Sequence, residues 1–187
     1  MKIKNIWLHF RKICIHKYYV GKYCWKMGLY WQGITHDLSK FSPIEFWESV
    51  KYYQGNRSPI DACKEDKGFS NGWLHHKGRN KHHHEYWQDN LDSGGQPLII
   101  PKKYAMELIA DYLGAGKAYM GKNFSYIEEA KWWDKRKSEN PNIAMHPAIK
   151  NFITLALTDM AIFGYDSINA HNIGEIYDEA INSESEE

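Results

Sequence analysis

Apolar residues recur at three- and four-residue steps along most of the chain, and that period favours helices over strands. Residues 3–28 carry Ile6, Phe10, Ile13, Val20, Cys24 and Met27 at this spacing. Ser42-Pro43-Ile44-Glu45 reads as a capping box with proline at the first helical position, opening a helix to about Tyr53. Residues 54–60 and 91–100 read as loops. Between them a helix is expected to end near the histidines, with Asn80 capping a short one after it. Pro101 starts a helix through Tyr119, and Ser125-Tyr126-Ile127-Glu128 is a second capping box, opening a helix to about Lys137. His146-Pro147 precedes an apolar helix ended by Gly164. There is no alternating strand series, internal repeat or long linker. The expectation is one all-α domain of six to eight helices over residues 1–170, followed by a C-terminal tail, 171–187, that ends in a frayed acidic run.

Composition narrows the function classes. A chain of 187 residues has room for one core of its own, and a net charge of +1 gives no argument for nucleic acid or an anionic membrane. The N-terminal "MKIKNIWLHFRKICIH" lacks the uninterrupted apolar core of a signal peptide, and no segment has the apolar length of a membrane span. Cys14, Cys24 and Cys63 form neither a C-x-x-C pair nor an even framework, which suits a reducing, cytoplasmic setting.

The chemistry is concentrated in "WLHHKGRNKHHHEYW", residues 73–87, where five of the ten histidines fall. Adjacent histidines on a helix point to different faces, so not all five can serve one site. A His-rich tract alone is only a compositional hint of metal. Partners for it lie elsewhere. "THDLSKFSPIEF" (35–46) offers His36 and Asp37, a nitrogen ligand beside a carboxylate, with Lys40 about one helical turn on. Asp111 lies in the row Tyr104, Leu108, Asp111, Ala115, Ala118, and His16 in the row Ile13, His16, Val20, Cys24. A carboxylate on an apolar stripe costs free energy unless a cation or hydrogen bonds compensate it. An edge-of-core carboxylate and a satisfied core histidine are the plainer readings of these two residues. Together they supply what a site around His36-Asp37 would lack.

The resulting order is His, His-Asp, a His group, Asp. In this the chain resembles the HD superfamily of metal-dependent phosphohydrolases, whose members are all-α and bind one or two metals. The resemblance matches His16 to the first His, His36 and Asp37 to the signature pair, Asp111 to the closing Asp, and Lys40 to the Lys of the H-D-x-x-K variant. His76, His82 and His83 resemble the extra histidines of binuclear members, in which the signature Asp bridges two metals. Their spacing here is tighter than in those members, so the choices between His75 and His76, and among His82, His83 and His84, stay open. A closer resemblance runs through "HKYYV" (16–20), "HDLSKFSPIEF", the histidine stretch, "PKKYAMELIADYLGAGKAY" (101–119) and "MHP" (145–147). These look like the motifs of an uncharacterised family of phage and bacterial proteins. The Gly-Tyr-Pro motif of cyclic-dinucleotide hydrolases is missing, so that substrate is not carried over.

His nitrogens with Asp oxygens suit one or two ions of Mn, Fe, Co, Ni or Zn. The resulting expectation is an enzyme acting on a small-molecule nucleotide or related phosphate ester through a metal-activated water. Asp37 and Lys40 are the candidate catalytic pair, and Lys40, Arg79 and Lys117 the candidate phosphate contacts, with a solvated face as the alternative for the cations. "GAGK" (114–117) does not complete a phosphate loop, since Ala118 follows and no strand precedes, and its small residues read as helix-packing positions. Trp73, Tyr86, Trp87, Trp132 and Trp133 read first as core and rim, with a base-stacking platform as the alternative. Competing functions are a non-catalytic nucleotide-sequestering or structural phage protein, a His-Asn-His nuclease suggested by "HHKGRNKHHH", and a di-iron oxygenase.

Overall fold

The structure is a computed structural model that describes residues 3–183. Nine α-helices are present among the described residues: α1 (Ile3–Lys26), α2 (Tyr30–Thr35), α3 (Pro43–Tyr52), α4 (Pro59–Lys67), α5 (Asn71–Lys77), α6 (Lys102–Met120), α7 (Tyr126–Glu139), α8 (Pro147–Phe163) and α9 (Ala170–Ser183). A two-residue antiparallel ladder joins β1 (Gln88–Asp89) to β2 (Gln96–Pro97), pairing Gln88 with Pro97 and Asp89 with Gln96. The all-α expectation holds, and the ladder interrupts only the loop after the histidines. No helix of the described residues is long and apolar enough to cross a membrane.

Local sequence sets most helix ends. Ser58 accepts from the Ile60 N–H to cap α4, with Pro59 in the first turn, and Gly68 closes the helix at φ 81°. Ser70 then accepts from the Trp73 N–H and opens α5. These caps break the segment before the histidines into two short helices. Ser125 accepts from the Glu128 N–H as the second capping box requires. The first box does not form. Ser42 makes no side-chain cap bond, and Glu45, instead of reaching back to the Ser42 N–H, binds two histidines. Asn80 caps no following helix either. Its Nδ2 donates to the His76 carbonyl at 2.8 Å and to Ser39 Oγ at 2.8 Å, tying the end of α5 to the His-Asp segment.

The core lies between α1, α6, α8 and α9, around Val20, Leu108, Leu113, Phe152, Leu157 and Ile173. The long helices α1 and α6 cross closely because residue 114 is glycine. A Cβ there would meet Val20 Cγ2 at 2.3 Å and the Val20 N at 3.1 Å. That crossing puts His16 opposite Asp111. The expected tail beginning at residue 171 is corrected: α9 runs to Ser183 and buries Ile173, Tyr177 and Ala180. Its acidic residues face outward while every third or fourth residue is apolar, so the acidic composition masked an amphipathic helix. The last four residues of the acidic run lie outside the described residues.

Candidate metal centre

Five separate segments deliver the cluster, with His76 on α5 and His82 and His83 in the turn that follows it. Helix α1 contributes His16 and α6 contributes Asp111. His36 and Asp37 sit between α2 and a short 3-10 turn, Leu38–Phe41. Asp37 takes up a left-handed backbone at φ 54°, one of two non-glycine residues of the described chain to do so. Such a conformation is tolerated by aspartate and tends to be kept where function needs the side chain aimed. Lys17 Nζ donates to the His36 carbonyl at 2.8 Å and holds this corner against α1.

The two oxygens of Asp37 face different partners. Oδ2 lies 3.3 Å from His16 Nε2 and 3.3 Å from His36 Nε2, and these nitrogens lie 3.1 Å and 3.4 Å from Asp111 Oδ1. Oδ1 lies 3.3 Å from His76 Nε2 and 3.5 Å from His82 Nε2. His83 Nε2 closes the second set, 2.9 Å from His76 Nε2. Thus His16, His36, Asp37 and Asp111 form one group with ligand atoms all within 4.8 Å of one another, and Asp37, His76, His82 and His83 form another. His36, Asp37, His76 and His82 are each at most 2% exposed.

Hydrogen bonding accounts for only part of this convergence. Asp37 Oδ1 and His82 Nε2 are sealed from solvent with no hydrogen bond among the described residues, and Asp37 Oδ2 has the Lys40 ammonium as its ion-pair partner. Imidazole nitrogens and carboxylate oxygens gathered this closely fit a cation. Lys40 compensates only one oxygen of Asp37, and Asp111 has no lysine or arginine within ion-pair distance among the described residues, so a further cation would relieve part of the cost of burying two carboxylates together. The donor set suits a first-row transition ion.

Two glutamates orient the rings. Glu107 Oε1 lies 3.0 Å from His36 Nδ1 and 3.3 Å from His82 Nδ1, so one oxygen accepts from a histidine of each group. Glu45 accepts from His76 Nδ1 at 2.8 Å and from His75 Nδ1 at 2.6 Å. With each Nδ1 donating to a glutamate, each Nε2 can offer a lone pair to a cation once it gives up its proton. Sequence reasoning missed both glutamates. Glu45 was absorbed into a capping box. Glu107, one turn before Asp111, stood beside the apolar row rather than in it, and the Glu-x-x-x-Asp spacing was the available signal.

Charge follows from these contacts. Burial opposes ionisation of Asp37, but His36, Lys40 and His76 outweigh it and hold the carboxyl well below the usual range. For Asp111 burial is outweighed by hydrogen bonds from His16 and His36. Burial lowers the His36 pKa, yet the facing Asp37, Asp111 and Glu107 raise it well above its ordinary value. A bound cation would take the place of that proton. Burial, then His82 and His76, drive His83 well below its ordinary value, so its ring is neutral.

The structure brings His16, His36, Asp37, His76, His82, His83 and Asp111 together and leaves His75 and His84 outside both groups. His75 bonds Glu45 outside both groups, and His84 Nδ1 donates to the Ala144 carbonyl at 3.0 Å. Lys40 Nζ lies 2.5 Å from Asp37 Oδ2. Arg79 is exposed on the turn after α5. Lys117 lies over the Phe124 ring at 4.4 Å and lines a different concavity. Neither is brought to the cluster, because α5 ends before Arg79 and Lys117 sits nearly two turns on and about a third of a turn round α6 from Asp111. Trp133 is core, its indole N–H donating to Thr154 Oγ1.

The cluster opens on two joined cavities. An inner one of about 210 Å³ is lined by His16, Lys12, Lys40, His76 and His9, whose two ring nitrogens lack partners. An outer one of about 750 Å³ is lined by Trp73, Tyr112, Trp132, Glu129, Lys131 and Arg136, among others. His83, Asp111, Trp73 and Tyr119 border both.

Fold and site together define a helical protein with a buried His/Asp cluster suited to metal. The chain belongs to a family described as a family of unknown function (DUF5662), whose model matches residues 5–159. That span takes in every member of the cluster. No curated protein and no solved structure matches the chain.

Proposed function

We propose that the chain is an HD-type metal-dependent phosphohydrolase acting on a nucleotide or a related phosphate ester. The observation that carries this reading is the division of one buried carboxylate, Asp37, between two nitrogen-rich groups. His16, His36, Asp37 and Asp111 would hold one ion, and Asp37, His76, His82 and His83 a second. Such ions, when bound, supply an acidified water and positive charge against the charge that develops on a transferring phosphoryl group. The chain's own groups do the rest. Lys40, half-buried against Asp37, faces the inner cavity and contacts a phosphoryl oxygen there. Lys12 on the same cavity wall is better placed for a second contact than Arg79 or Lys117. Glu45 and Glu107 keep the imidazoles in the ligating tautomer. The narrow inner cavity limits bulk water around the reacting ester.

Metal content of tag-free protein, by inductively coupled plasma mass spectrometry, tests the first half. One or two equivalents of Mn, Fe, Co, Ni or Zn per chain are expected. Phosphate release from a nucleotide panel with that metal tests the second, and Asp37→Ala, folded by circular dichroism, should lose it. Full activity in Asp37→Ala would sink the reading. Ligand bound tightly and recovered intact would replace hydrolysis with sequestration.

A further inference from the structure

Helix α7 turns a chemically mixed face to the outer cavity. Glu129, Trp132 and Arg136 follow at steps of three and four and all line it. Glu129 is 5% exposed and makes no side-chain hydrogen bond or ion pair among the described residues. Its carboxyl lies over Gly116 of α6, where a Cβ would stand 2.2 Å from Oε2. The second glycine of "GAGK" therefore makes room for this carboxyl. Arg136 has no carboxylate within ion-pair distance among the described residues, and its Nε is buried without a partner. Its guanidinium lies 5.6 Å from the centre of the Trp132 ring, which Tyr112 buttresses edge-on at 5.2 Å.

An unpaired acceptor and an unpaired donor on either side of an indole describe a ligand. It should be flat, carry N–H groups at one edge, and carry acceptors at another. Among nucleobases guanine has this combination. Its N1–H and exocyclic amine suit a carboxylate, and its O6 and N7 suit a guanidinium fork. Adenine and cytosine each set a donor beside an acceptor on the edge that guanine fills with donors, and hypoxanthine lacks the amine. The separation along α7 is about 10 Å, two helical turns, which side chains reaching inward can bridge across a purine.

The geometry points to the outer cavity as a guanine-binding half-site, in which Glu129 accepts the base's N–H edge, Arg136 donates to O6 and N7, and Trp132 supplies the stacking surface. The assignment rests on the phosphohydrolase reading for its orientation, with the phosphate toward Lys40 and the base toward α7. It makes the substrate a guanine nucleotide.

Calorimetric titration with guanosine, inosine and adenosine tests it. These nucleosides carry no phosphate, so the result does not depend on hydrolysis or metal loading. Guanosine is expected to bind tightest, and inosine more weakly by about tenfold, because its missing amine leaves a carboxylate oxygen unpaired. Glu129→Gln should abolish most of the guanosine–inosine difference, and Arg136→Met should weaken both nucleosides. Each variant is checked for its thermal transition. Adenosine binding as tightly as guanosine, full discrimination in Glu129→Gln, or no binding of any nucleoside would overturn the half-site. Failure of phosphate release with guanosine binding intact would instead overturn the hydrolase reading.

Discussion

Glu107 shows how much depends on a single side chain. One of its oxygens fixes both His36 and His82, which belong to different halves of the cluster. Glu107→Gln keeps the shape and removes the charge that favours the Nδ1–H tautomer. Losing such an outer-shell partner typically costs about 10- to 100-fold in metal affinity. The expected loss falls on both ions together, measurable by competition with a chromophoric chelator; retention of one full-affinity site would contradict the shared role. Glu129 supplies a second test at this scale. Burial, then the nearby Asp111, raise its pKa to about 7. A folded pKa raised above the unfolded value gives stability that is complete below the unfolded pKa, near 4.5, and lost as pH rises through 7. Glu129→Gln should remove that loss, gaining on the order of 3 kcal/mol over the native chain at pH 8 relative to pH 5. Urea denaturation at the two pH values measures the difference, and parallel curves would show that the carboxyl ionises freely.

At the scale of elements, the α1–α6 crossing sets the site. Both "GAGK" glycines proved to be packing positions, as their small size suggested. Gly114 admits Val20 of α1, and Gly116 admits the Glu129 carboxyl and Phe124 of the α7 side. Gly114→Val should push α1 outward, costing about 1–3 kcal/mol of overpacking strain and drawing His16 away from Asp111. Lower thermal stability with weakened metal binding is expected, and unchanged metal binding would show that the crossing does not govern the ligand geometry. The helices themselves were mostly legible. The His146-Pro147 start and Gly164 stop of α8, and the Ser125 cap of α7, follow from local chemistry. The failed capping box at Ser42 was not legible, because Glu45 has two claims on its carboxylate and the histidines that win are thirty residues away in sequence.

For the whole molecule, the acidic C-terminal segment is part of the core. Ile173, Tyr177 and Ala180 pack behind α6 and α8, and the Tyr177 hydroxyl donates to the Ile100 carbonyl at 2.8 Å. Removing residues 170–187 exposes that surface, and burying such side chains is worth about 1.5–3 kcal/mol each. The truncated chain is expected to melt well below the full chain or not to fold; an unchanged melting temperature would return the segment to the status of a tail.

The sequence by itself determined the helical class, most helix boundaries and the membership of the cluster in His16, His36-Asp37, the histidine group and Asp111. Those depend on period, capping and residue chemistry, which are local. Only the tertiary structure decided which histidines of 75–84 face the cluster, that Asp37 is shared between two groups, that Glu45 and Glu107 stand behind the ligands, and that Glu129 and Arg136 share a cavity. These are consequences of where helices cross, and the crossing distance is set by contacts, such as Gly114 against Val20, between residues far apart in the chain.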